Sequence, residues 1–174
     1  MAGIIIFEPK KTAVLIMDYQ IRILNFFSKE IQDGLTARAN KVLTAARQKG
    51  MPVIYIEVVR GERTPEHAIL AQVTPQPGDV VLTKHRVGPF STTDLNERLK
   101  KLGIETLVLM GVASSGCVLS AVRWAADIDY KLIVLSDCCA DRDDEVQRVL
   151  MEKIFPGQAT VTASKEFIEA AANK

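Results

Sequence analysis

Six short runs rich in Val, Ile, Leu and Thr recur along this chain: residues 12–17 (TAVLIM), 52–59 (PVIYIEVV), 79–83 (DVVLT), 106–111 (TLVLMG), 131–136 (KLIVLS) and 159–163 (ATVTA). Most are apolar at odd and even positions alike, so the strands they form need cover on both faces. Amphipathic stretches between them supply it. In residues 35–50, Leu35, Ala39, Val42, Leu43 and Ala46 share one helical face and Gly50 is a stop signal. In residues 91–103, a serine or threonine cap precedes Leu95, Leu99 and Leu102, and Gly103 closes the helix. Residues 117–130, 144–155 and 164–174 continue the rhythm. Strands alternating with helices, with few hairpin signals, predict an α/β fold: three layers, α/β/α, around a six-stranded parallel sheet, doubly wound and Rossmann-like. The whole chain, 1–174, is expected to form one domain. Residues 60–78, with three prolines, have the irregularity of a flap over a site.

Lysine and arginine number 22 against 21 aspartates and glutamates, which argues against nucleic acid or an anionic membrane surface as partner. The opening apolar run is too short for a signal peptide, and no later one approaches the roughly 20 residues of a membrane span. Three cysteines, Cys117, Cys138 and Cys139, do not form a secreted disulfide framework. A cytoplasmic protein with free thiols and a small-molecule substrate is the expectation.

In open parallel sheets ligands bind at the carboxyl ends of the strands. The polar residues that follow the apolar runs are Asp18, Arg60, Lys84, the stretch 114–117 and Asp137. Cys117 stands where a helical pattern begins, and a helix start favours a thiolate. Ala113, Ser114, Ser115 and Gly116 before it let the backbone approach a substrate and aim N–H groups at an oxyanion. Taken singly, Cys117 also reads as packing, Asp18 as a helix cap and Lys84 as a solvated strand end. Together they are a proton acceptor, a cation and a nucleophile at one rim.

These segments resemble the isochorismatase-like cysteine hydrolases, which include nicotinamidases and carbamoylsarcosine amidases. "VLIMDYQ" is similar to the family's first-strand motif, the stretch from "VVLTKHR" to "GVASSGCV" to its central signature, and "LIVLSDCCADRD" to its next strand. The resemblance implies that Asp18 shuttles the proton, Lys84 is the family's lysine and Cys117 is the nucleophile. It also implies a cis Val112–Ala113 peptide that turns the Ala113 N–H beside that of Cys117, forming the oxyanion hole. The implied reaction is hydrolysis of a small amide, carbamoyl or related C–N bond through a thioester, without an organic cofactor. Family members commonly assemble, so a homo-oligomer is expected.

This chain departs from the family in two places. Ile21, Arg22 and Ile23 follow the Asp-x-Gln motif where many members carry a polar residue, an acid and an aromatic. Nicotinamidases bind a metal through an aspartate and two histidines after the second strand; here His67 and His85 lack that spacing, so no metal is expected and His67 reads as a surface residue of the flap. Phe26 and Arg60 are candidate pocket residues. Cys138 and Cys139 read as packing, Trp124 as core or subunit interface, and residues 141–145 (DRDDE) as a solvated helix cap. The alternatives to a hydrolase are a silent scaffold that keeps the fold, and a thiol redox sensor, which no Cys-x-x-Cys spacing supports.

Overall fold

The computed structural model describes residues 5–173. Each apolar run is a strand: β1 (Thr12–Met17), β2 (Val53–Val58), β3 (Val80–Lys84), β4 (Thr106–Val112), β5 (Lys131–Ala140) and β6 (Thr160–Thr162). They pair in parallel in one six-stranded sheet of order β3-β2-β1-β4-β5-β6. From β1 the chain steps outward to β3, returns to the centre at β4, and steps outward the other way. The connections therefore diverge between β1 and β4, where such sheets leave a crevice at their carboxyl ends.

Alternation along the strands builds two cores. Ala13, Leu15 and Met17 of β1 face one side with Ile54, Leu107 and Leu109, covered by α3 (Leu95–Lys101), α4 (Leu119–Asp127) and the region after α5 (Asp144–Val149). Val14 and Ile16 face the other side with Tyr55, Val108 and Ile133, covered by α2 (Lys29–Gln48) and α6 (Ser164–Ala172). A single turn, α1 (Ile21–Leu24), follows β1. Residues 60–78 hold only two 3-10 turns, Pro65–His67 and Ala71–Val73.

Two elements exceed their sequence signals. α2 begins at Lys29, where the Ser28 hydroxyl accepts the Ile31 N–H at 3.3 Å; its first turns are largely polar and carry no apolar stripe. β5 runs past Ser136 because its register against β4 slips: Val134 lies opposite Leu109, yet Cys139 lies opposite Gly111. The looped-out residues carry Asp137 away from the crevice. Its carboxylate accepts from the Ser164 N–H and hydroxyl, both at 2.7 Å, and so caps α6. Among the described residues no helix is long and apolar enough to cross a membrane.

Candidate active site

Asp18 is the first residue beyond β1. Its N–H donates to Ile56 O at 2.8 Å, and its φ of 59° is left-handed, a region aspartate enters more readily than most residues. Lys84 ends β3 and is only 1% exposed; its ammonium donates to Asp18 Oδ2 at 2.9 Å and to Arg86 O at 3.2 Å. Asp18 Oδ1 has no hydrogen-bond partner among the described residues, and the Cys117 thiol adjoins this carboxyl. Cys117 is 2% exposed, with Sγ 3.6 Å from Ala113 O.

Cys117 lies in a π-helical turn, Ser114–Val118, between β4 and α4. The Val112–Ala113 peptide before it is cis. Asp141, just past β5, accepts the Ser115 N–H at 2.7 Å and holds the turn from outside. The sequence pattern put Asp141 in the helix-capping run; the cap is Asp143, which accepts from Glu145 N and Val146 N. Gln20 anchors the flap: its amide exchanges hydrogen bonds with Val58 N and O and donates to His67 O at 2.6 Å.

Burial raises the Asp18 carboxyl above its ordinary range, opposed chiefly by the charge and hydrogen bond of Lys84 and less by Cys117 and Arg60. The Cys117 thiol is pushed well up, first by burial and then by the Asp18 charge. This is opposite in direction to the lowering expected of a helix start, and its largest cause is desolvation. The arrangement is one cation, one anion and one thiol, with the proton able to pass between sulfur and carboxylate. Cys138 and Cys139 are buried, and burial pushes the Cys139 thiol up to about 12.

A cavity of about 200 Å³ opens over Lys84, lined by Arg22, Ile23, Val58, Arg60 and Val87. Val87 comes within 3.8 Å of where a side chain on Gly116 would begin, so the cavity borders the turn that carries Cys117. Arg60, a pocket candidate from the sequence, lines this cavity. Phe26 instead stands outside the cavity, 65% exposed, with the Arg142 guanidinium 4.7 Å above its ring, on an adjoining depression shared with Arg22, Asn25 and Glu66.

His67 is not the surface residue expected. It is 3% exposed, because the flap folds inward and its ring meets Thr64 on one side and Arg22 on the other. Trp124 is 46% exposed and stacks on Phe90, which excludes a core role. Among the described residues no three His, Cys, Asp or Glu side chains cluster as a metal site. A larger cleft of about 670 Å³, lined in part by Arg47, Asp79 and Lys101, lies at the opposite rim, near the strand amino ends, and has no cysteine, serine, threonine or histidine in its lining.

A family profile for the isochorismatase domain matches residues 12–166. Ureidoacrylate amidohydrolase RutB of Agrobacterium fabrum is 27% identical over 201 aligned residues, covering 88% of this chain and 88% of that protein. An isochorismatase family protein from Burkholderia thailandensis superposes with a TM-score of 0.89 at 26% identity, covering 98% of this chain and 100% of the other. N-carbamoylsarcosine amidase from Thermoplasma acidophilum gives a TM-score of 0.77 at 26% identity, over 88% of this chain and 96% of its own.

Proposed function

The chain belongs to the isochorismatase family and is a hydrolase, and from that premise we propose that it cleaves a small amide, carbamoyl or related C–N bond through a thioester on Cys117. The supporting observation is the buried Lys84–Asp18 ion pair, which leaves one carboxylate oxygen unpartnered beside a buried thiol. Asp18 takes the thiol proton as sulfur attacks the carbonyl carbon, and the Ala113 and Cys117 N–H groups hold the oxyanion. As the tetrahedral adduct collapses, the C–N bond breaks and Asp18 gives its proton to the departing nitrogen, leaving an acyl thioester. Asp18 then takes a proton from water, hydroxide adds to the thioester, the C–S bond breaks, and Asp18 returns the proton to sulfur. Lys84 keeps Asp18 oriented and favours its ionised form before each proton transfer.

The two amidohydrolase relatives favour C–N bonds over other scissile groups. Three buried free cysteines favour a reducing compartment, hence the cytoplasm. The exposed Trp124–Phe90 stack offers a face for a second copy of the chain. A screen of small amides and ureides for ammonia release tests the chemistry. Cys117→Ala is expected to lose activity by roughly 10⁴-fold or more, the scale of losing a nucleophile; equal release by the two proteins would exclude a thioester.

A further inference from the structure

Asp18, Lys84 and Cys117 are 5%, 1% and 2% exposed, and the cavity over Lys84 is lined by neither Asp18 nor Cys117. A substrate carbon cannot meet the sulfur until something that covers the thiol moves aside. The sheet order shows where that cover lies. β1, β4 and β5 are neighbours in this order, so a contact between the segments that follow β1 and β5 spans the turn that follows β4, and that turn carries Cys117.

Phe26, past α1 on the β1 side, and Arg142, past β5, make such a contact: the guanidinium sits 4.7 Å above the ring. Its two ends are secured unequally. One Asp141 carboxylate oxygen accepts the Arg142 N–H at 2.9 Å and the other accepts the Ser115 N–H at 2.7 Å, so Arg142 is rooted to the wall that bears the thiol. Phe26 is rooted to little. Its ring is 65% exposed, and its N–H reaches Ile23 O only at 3.4 Å, beyond the usual hydrogen-bond range. Among the described residues the Arg142 guanidinium makes no ion pair, which leaves the ring as its partner. Beside the ring lies the outer depression of about 290 Å³, which shares Arg22 with the cavity over Lys84.

Resting on the reading of Cys117 as the nucleophile, we infer that the Phe26–Arg142 contact is a gate: with the guanidinium on the ring the thiol is shut in, and parting the two opens a path from the outer depression to Cys117. Opening costs little, because a cation–π contact at an exposed site is weak. The Phe26 segment is the part that swings, since the Cys117 turn is held by Asp141 and by close packing at Gly111. Nucleophile and oxyanion amides keep their geometry while the entrance cycles, and closure shields the reacting groups from water.

Alkylation by iodoacetamide, followed at each cysteine by peptide mass spectrometry, tests this without a substrate. Arg142→Ala and Phe26→Leu are each expected to speed alkylation of Cys117 by about 2- to 5-fold, the population shift set by loss of an exposed cation–π contact. Arg142→Lys, which keeps the cation, should stay near the wild-type rate. The double variant should be no faster than the faster single one, because both changes break the same contact. Loss of the Arg142 charge acts on its own in the opposite direction, since a thiolate is less favoured without a nearby cation. Unchanged or slower alkylation in the single variants, multiplied gains in the double one, or parallel labelling of the buried Cys138 and Cys139 would each overturn the gate. Expected alkylation together with equal ammonia release by wild type and Cys117→Ala would leave the gate standing and remove the thioester; thiol-dependent release with unchanged alkylation would remove the gate alone.

Discussion

At Asp18 two opposing demands meet. Burial drives its carboxyl toward the neutral form, while the proposed reaction needs the anion, and Lys84 pulls toward the anion from 2.9 Å. Activity in kcat/KM should therefore rise with pH through a value above the ordinary carboxylate range of about 3.9, since only the ionised form can take the thiol proton. Lys84→Met removes the largest opposing pull, so the acid limb of the pH profile should move to higher pH; an unmoved limb would mean that Lys84 does not govern Asp18. That Asp18, Lys84 and Cys117 come to one rim was legible because each follows or ends an apolar strand of a parallel sheet, and the structure does set the Lys84 ammonium and the Cys117 thiol beside the Asp18 carboxyl. His67 and Asp141 were not. Their roles depend on a flap folding inward and on a turn docking from another strand, and no local pattern encodes either contact. The thiol's upward shift was illegible for the same reason, since it comes from burial and a residue 99 positions earlier in the sequence (117 − 18).

At the scale of elements, β1, β4 and the Ser114–Val118 turn are locked together at Gly111. A Cβ there would sit 3.0 Å from Met17 Cβ, 3.1 Å from Met17 O and 3.1 Å from a Val118 methyl, so two strands and the turn close on one point. Gly111→Ala must push something aside. Overpacking of this kind costs about 1–3 kcal/mol, and the displaced part includes the turn that carries Cys117. Denaturant melts should show that loss, together with a fall in ammonia release of about tenfold or more; full activity with unchanged stability would show that the turn is not seated through Gly111. The strands were read well because two-sided apolar runs leave few alternatives. The polar start of α2 and the slip in β5 were missed, since a cap at Ser28 and a register shift between Leu109 and Gly111 change no hydrophobic period.

Across the molecule, the candidate site draws on strands of unequal security. Asp18 and the Cys117 turn follow β1 and β4, the adjacent pair at the middle of the sheet, each flanked by strands on both sides. Lys84 is borne by β3, which pairs only with β2 and leaves Val81 partly exposed. Local opening in proteins concentrates where contacts are fewest, so amide exchange should be faster over residues 82–84 than over residues 108–110. On heating, ammonia release should fail several degrees below the loss of helical circular dichroism; coincident transitions would show the sheet giving way as a unit. On the proposed mechanism, fraying at that margin withdraws the ammonium and strands a carboxylate in the dry interior, so a brief excursion of one outer ribbon would silence a protein whose centre remains intact. The working life of the catalyst at raised temperature is then set at its border, and reinforcing β3 should prolong it even if the centre is left untouched.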